Sequence, residues 1–341
     1  MMRLISRRPM LRAVAAAGLG IAAAPAIVGR AQAAPLKFRM SSSLPDDPKF
    51  SSGRVAYDTL VKHLKLKGLG EQIQVDFFPN NQLGQEIDVI NSVKLGVVDL
   101  MIAGSSIAAN LVPIVGVLDL GYMFNSFPHQ TKALDSGAAK LLEDPLLKAA
   151  NIRVAAWEYN FGARSVLAKK AVHGPADLTG MKIRTLPNPV ITECLRLMGA
   201  AATPLAFGEI YTALQAGVLD GLEHDPPTIL ASKFYETAKF YSLTEHIFNA
   251  LPLFISNASF NKMDPGTREI FMAAALDAAI EARAWGLAVE KEALGILQQN
   301  GVTVINPDKE AFRKRVLPQT DNFLKVHPES KPIIDIIRAT A

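Results

Sequence analysis

The chain has 341 residues, 49% of them hydrophobic, with 36 Lys+Arg, 32 Asp+Glu and one cysteine. That length can bury sizeable cores, most naturally in two domains, and the single Cys194 excludes an intramolecular disulfide. The first 33 residues carry five arginines and no acid, so the remainder holds 31 basic against 32 acidic side chains, a balance that does not indicate a nucleic-acid-binding face.

Residues 1–33 read as an export signal. Arg7-Arg8 precedes an apolar, alanine-rich run from Ala13 to Val28, and Ala31-Gln-Ala33 has the small-residue spacing of a cleavage site. The paired arginines point to twin-arginine export, with an ordinary secretory signal as the alternative. The run is short and interrupted by Gly and Pro, and nothing later is long enough to span a bilayer. A protein cleaved near Ala33 and released into the periplasm is expected.

From there strand and helix alternate. Leu36 to Ser42 reads as a strand, and Asp47-Pro48 as a helix N-cap with proline at the first helical position. Tyr57, Val61 and Leu64 mark the buried face of that helix. Ile73, Val75 and Phe77 alternate as a second strand, a helix from about Leu83 to Leu95 repeats Ile87, Ile90 and Val93, and Val98 to Ala103 is a fully apolar strand. The β-α-β-α-β order predicts an open α/β sheet whose ligands sit at strand carboxyl ends, where Ser41, Glu86 and Ser105 fall. Residues 128–149 read as helix and Ile152 to Trp157 as a strand.

A second set of strands follows at Ser165–Ala168, Lys182–Leu186, Ala202–Ala206 and Leu219–Leu222, with helices around Cys194 and over Gly208–Ala216. Cys194 itself reads as a small buried hydrophobe. Leu251 to Asn257 is expected to cross back. The predicted division is 34–156 plus 251–341 as one α/β domain and 157–250 as another, with the ligand cleft between them and crossing strands as the hinge. Asp264-Pro265 and Gly301 bracket a helix of about 35 residues, roughly 50 Å long. Ile270, Ala273, Ile280, Ala284 and Leu287 line one of its faces, and Phe271, Ala278, Trp285 and Val289 another, so it is expected to brace both domains. A coiled coil is a weaker reading because strict heptads fail at Asp277.

The chemistry concentrates between Trp157 and Asp225. Arg164 and Arg184 stand in apolar, strand-like runs, where a permanent charge is costly to bury unless paired. A guanidinium fits a carboxylate bidentately, so the two could form a carboxylate pocket or could instead pair with internal acids such as Glu158 or Glu209. Glu223-His224-Asp225 offers metal-ligating types, but neighbours on a strand point to opposite faces and cannot chelate as a unit. No nucleophile elbow, dinucleotide-binding loop, P-loop or zinc-protease motif occurs, and the remaining histidines, His63, His129, His173, His246 and His327, read as scattered surface residues.

Four blocks carry a resemblance: Asn80-Asn-Gln-Leu-Gly-Gln-Glu86 with its helix to Asp99; Gly116-Val-Leu-Asp119 with Phe124; Asp177-Leu-Thr-Gly-Met-Lys-Ile-Arg184; and Thr203-Pro-Leu-Ala-Phe207 through Glu223. In this order and spacing the chain resembles the solute-binding receptors of tripartite ATP-independent periplasmic (TRAP) transporters. The resemblance implies a two-domain periplasmic binding protein fold with crossing hinge strands and a long bracing helix. It places the ligand-carboxylate clamp on Arg184 assisted by Arg164, a packing position on Phe207 and a polar reach on Glu86. His224 departs from the asparagine many members have, and Gly104 stands where sialic-acid receptors have a glutamate. With Glu86 and Glu223, His224 suggests a hydroxylated acid, a uronate or aldonate, with a C4-dicarboxylate or keto acid as the alternative. Ser41 and Ser105 complete the expected site. No cofactor or metal is expected, the implied partners are a small and a large membrane subunit, and a monomer is expected. The rivals of other classes are an exported enzyme acting on a small carboxylate and a stand-alone sensor or chaperone.

Overall fold

A computed structural model describes residues 34–157, 159 and 161–341. The export signal expected over 1–33, and Glu158 as a candidate arginine partner, lie outside the described residues. Two sheets organise the chain. In chain order the strands are β1 (Leu36–Ser41), β2 (Ile73–Phe78), β3 (Leu100–Ile102), β4 (Ile152–Ala156), β5 (Ala163–Ala168), β6 (Lys182–Thr185), β7 (Ala201–Pro204), β8 (Gly221–His224), β9 (Phe240–Phe248), β10 (Leu253–Ser256) and β11 (Thr303–Ile305).

The first sheet has the order β2-β1-β3-β10-β4. β1 runs parallel to β2 and β3, while β10 is antiparallel to β3 and β4. β1 buries Phe38 and Met40 and exposes Lys37 and Arg39, the alternation of a strand with unlike faces. The helix Ser52–Leu66 covers that sheet with Val55, Ala56, Leu60 and Leu64. It starts later than Asp47-Pro48 predicts. Asp47 Oδ1 accepts the amides of Lys49 and Phe50 in a separate turn, and the Ser51 side chain caps the helix by accepting from Arg54 N. Glu86–Lys94 forms the second helix, and its first turn sits beyond the carboxyl end of β2.

The second sheet has the order β11-β9-β5-β8-β6-β7. Its central β5 is buried at every position. β9 is a nine-residue strand that hydrophobic alternation does not reveal, because Ser242, Thr244 and His246 are buried polar residues. β11 pairs in parallel with β9, so this part of 251–341 joins the second sheet and not the first, as the expected division had it. The chain passes between sheets from β4 to β5, from β9 to β10, and from the long helix to β11. Each hydrophobic core draws on both sheets: one gathers Val89, Leu118, Ile183 and Cys194, the other Phe38, Leu60, Leu222 and Phe271.

The long helix runs Pro265–Gln299, capped by the Asp264 side chain accepting from Thr267 N. It touches the elements of both sheets. Lys67 and Lys62 of the first helix pair with Asp277 and Glu281 at 2.7 and 2.8 Å, and Glu290 Oε1 accepts the amide of Ala163 on β5 at 3.2 Å. Only one of its two apolar faces is buried, through Phe271, Ala274, Ala275, Ala278, Ala282 and Val289. Ile280 and Leu287, expected to brace, are 53% and 54% exposed.

Candidate ligand-binding site

The site lies where the carboxyl ends of β1 and β3 face the strand ends of β5, β8 and β6, three adjacent interior strands of the second sheet. Ser43 and Leu44 follow β1, Glu86 opens its helix, and Gly104 follows β3. Across from them stand Phe161, Arg164, Leu186, Phe207 and His224, with Asn249 on the crossing to β10; together these residues enclose a cavity of about 10 Å³, room for roughly one water. Gly104 is required by close approach, since a Cβ there would lie 2.5 Å from Asn249 Oδ1.

Arg164 and Arg184 are both fully buried, but they are not alike. β5 and β8 are antiparallel, with Val166 opposite Glu223, which sets Arg164 against the Glu223 carboxylate. Arg164 Nε and Nη2 donate to the two carboxylate oxygens at 2.5 and 2.8 Å, and Nη2 also donates to Glu223 O at 3.0 Å. Burial would raise the Glu223 carboxyl, but the guanidinium outweighs it and holds it near 2. His246, expected on the surface, is fully buried behind this pair. Its Nε2 lies 3.5 Å from Glu223 Oε2 and its Nδ1 2.9 Å from Thr244 Oγ1. His129 is also buried rather than exposed, with Nε2 2.8 Å from Ile337 O.

Arg184, on β6, makes one hydrogen bond, from Nε to Leu205 O at 2.8 Å. Its Nη1 and Nη2 are buried and have no partner among the described residues. The guanidinium lies 6.0 Å from the Phe207 ring centre. Burial lowers its pKa to about 10, with the Glu86 charge opposing that, so it stays charged at neutral pH. Pro187 and the Pro189-initiated helix end β6 just beyond it. The helix cap Asn188 also donates to Ser106 O across the cleft at 2.8 Å.

The remaining polar groups are arranged around this fork. Partly buried Glu86 accepts from Ser43 Oγ at 2.9 Å, and desolvation raises its pKa against the pull of Arg184. His224 packs its ring against Phe161 and Phe207, with centroids at 5.1 and 5.8 Å. Its Nδ1 is engaged by Asp225 Oδ1 at 2.5 Å, and burial lowers its pKa well below the usual value, so the ring is neutral. Burial also raises Asp225 to about 7. Asn249 Nδ2 donates to Asp119 Oδ1 at 2.6 Å, which turns its Oδ1, buried and unpartnered, into a fixed acceptor at the cavity.

The structure therefore gathers Arg164, Arg184, Glu86, Phe207 and His224, with Glu223 set behind as the Arg164 partner. Arg184 stands beside the cavity, behind the Phe207 wall, without itself lining it, and Ser41 and Ser105 do not line the cavity either. Ser41 is still within β1, and the residue that reaches Glu86 is Ser43, two positions further on and past the strand end. Ser105 Oγ is bonded to Asp119 Oδ1 at 3.1 Å. Asn249, Asp119 and Ser43 were not singled out as ligand residues. Asp119 did fall within a resemblance block, but nothing in the sequence ties it to Asn249, 130 positions away. Among the described residues no group of three His, Cys, Asp or Glu side chains is placed to hold a metal ion, and no helix is long and apolar enough to cross a membrane.

A small enclosed cavity lined by charged and aromatic side chains, between two sheets that the chain links three times, is an arrangement suited to holding a small solute. Residues 53–326 match the family described as bacterial extracellular solute-binding protein, family 7, and the chain belongs to that family. A solute-binding protein of Chromohalobacter salexigens is 32% identical over 85% of this chain and 86% of its own length. The 2,3-diketo-L-gulonate-binding periplasmic protein of Escherichia coli K12 is 30% identical over 78% and 81%. Among solved structures, a TRAP periplasmic solute-binding protein of Roseobacter denitrificans with bound β-D-glucuronate superposes with a TM-score of 0.84. It has 28% identity and covers 89% of this chain and all of its own. One of Polaromonas sp. JS666 bound to D-erythronate gives 0.83, at 30% identity over 89% and 98%. The chain is thus an extracytoplasmic TRAP solute receptor with the two-domain α/β fold of these neighbours, and not an enzyme.

Proposed function

We propose that this receptor captures a hydroxylated sugar acid, a uronate or aldonate, with Arg184 as its carboxylate clamp. The observation that carries the reading is the pair of buried, unpartnered Arg184 nitrogens. A buried forked cation with both outer nitrogens unused matches a planar or forked oxyanion such as a carboxylate. Two or three charge-assisted hydrogen bonds of about 1.5–3 kcal/mol each approach the roughly 8 kcal/mol of a micromolar complex. Around the clamp, Asn249 Oδ1 and the Glu86 carboxylate are acceptors, as ligand hydroxyls require, and neutral His224 adds a ring nitrogen. Phe207 and Phe161 supply apolar walls for the carbon skeleton. The glucuronate and erythronate held by the structural neighbours belong to the same chemical class.

A dicarboxylate fits less well, because the Arg164 fork is filled by Glu223 and His224 is uncharged. A cavity of about 10 Å³ is far smaller than a sugar acid. Entry therefore requires the walls to part about the links from β4 to β5 and from β9 to β10, and closure then seals the ligand. The domain division around those links, delivery to a small and a large membrane subunit, and export by the 1–33 signal with cleavage near Ala33 are parts of the same reading. Calorimetric titration with D-glucuronate, D-galacturonate, D-gluconate, succinate and 2-oxobutyrate tests it. Micromolar or tighter binding confined to the first three is expected, with loss in Arg184→Ala. Binding of succinate alone, or sugar-acid binding that survives Arg184→Ala within a few-fold, would overturn it.

A further inference from the structure

The exposed face of the helix Pro265–Gln299 has a pattern of its own. Ala273, Leu276, Ile280, Ala284 and Leu287 form an apolar stripe, with Leu276, Ile280 and Leu287 about half exposed. The steps are three, four, four and three residues, so the stripe reads the same in both directions from Ile280. It bypasses Asp277, the position that defeats strict heptads, and Asp277 turns aside to Lys67 at 2.7 Å. One step further out on each side, at equal distance from Ile280, stand Glu269 and Lys291. Both are exposed, and neither has a partner among the described residues.

We propose that this stripe is a self-association surface, on which a second copy of the chain lays the same helix antiparallel about a two-fold axis at Ile280. In that register Ile280 meets its own copy, Leu276 meets Ala284, Ala273 meets Leu287, and Glu269 meets Lys291. Large side chains fall opposite small ones, as interdigitating helices need, and opposite charges close both ends. A parallel register fails on the same residues: it sets Leu276 on Leu276, Ala273 on Ala273, and like charges on each other at both ends. A two-fold interface must be self-complementary, and this stripe is so in one direction only. From Glu269 to Lys291 it spans 23 residues, about 33 Å along the helix. A single helix pair of that length falls near or below the roughly 1,200 Å² at which interfaces become stable, so the pairing is weak and concentration-dependent, and dilute protein is the monomer that the sequence suggests.

Sedimentation equilibrium of the exported protein from about 1 μM to 1 mM, with and without D-glucuronate, measures it. A monomer–dimer equilibrium is expected, at least tenfold weakened by Ile280→Glu, which puts two like charges on the axis. Circular dichroism melting of that variant should be unchanged, since Ile280 is 53% exposed. Glu269→Lys or Lys291→Glu alone should weaken dimerisation, and the two together should restore it. In Ile280→Cys, a short bismaleimide should link the two copies, because the native Cys194 is fully buried. A protein that stays monomeric to 1 mM, including one whose stripe binds some other partner, overturns the proposal. So does a dimer indifferent to Ile280→Glu, and failure of the double charge reversal to restore pairing overturns the antiparallel register.

Discussion

The two buried arginines of this site share residue type, sheet and full burial, yet one is saturated and the other is not. Arg164 spends its fork on Glu223 and, with His246 behind it, forms an ionic cluster inside the second sheet. Arg184 has one hydrogen bond and two idle Nη nitrogens among the described residues. Burial and charge alone thus do not mark a binding residue. What separates Arg184 is a charged fork left unfilled beside the cavity, because buried donors carry a desolvation cost that a partner entering the site can relieve.

Substitutions should split the two by which quantity moves. Arg164→Ala strands the Glu223 carboxylate and should cost roughly 3–5 kcal/mol of folding stability, measured by denaturant unfolding. Arg164→Met with Glu223→Leu removes both charges and should recover most of it. A loss below about 1 kcal/mol in the single variant would mean that the pair is not structural. Arg184→Ala should leave unliganded stability unchanged or higher, while costing roughly 2–5 kcal/mol of sugar-acid binding.

Asp119 sharpens the contrast through pH. Burial raises its carboxyl to about 7 from an ordinary 3.8, so it stabilises the fold while protonated. Its contribution is full below about pH 4 and is lost as pH rises through 7, whereas that of Glu223 is full above about pH 4.5 and is lost as pH falls from there through about 2. Asp119→Asn should therefore flatten the fall in melting temperature between pH 4 and 7, relative to wild type. Asp225 and Glu290, also raised to about 7 by burial, leave a residual slope in the same window. An undiminished slope would show that Asp119 ionises normally. The smallest effect is expected at Asn249, where Asn249→Ala removes one neutral acceptor. It should weaken sugar-acid binding by about 1 kcal/mol and leave affinity for an acid without hydroxyls unchanged.

The parts of the molecule that local sequence governs were legible in advance. Strand alternation in β1 and β2, the apolar run of β3 and the Asp264-Pro265 cap of the long helix each follow from side-chain period or backbone geometry over a few residues. They appear within a few positions of where they were expected. The motif blocks carried the family and the candidate arginines for the same reason, since their spacing is local. β9 was missed because its buried face is polar: Thr244 and His246 belong to the cluster around Glu223, a partner that alternation cannot see. The sequence points to Ser41 in place of Ser43 because periodicity locates a strand end only to within a residue or two. Which arginine is satisfied, which of the helix's two apolar faces is covered, and the Asp119–Asn249 bond that fixes an acceptor at the cavity are all decided by residues tens to more than a hundred positions apart. The sequence determined the elements, the family and the charges present. Only the tertiary structure decided which of those charges neutralise one another and which remain for a ligand, because pairing depends on distance in space, and periodicity encodes only distance along the chain.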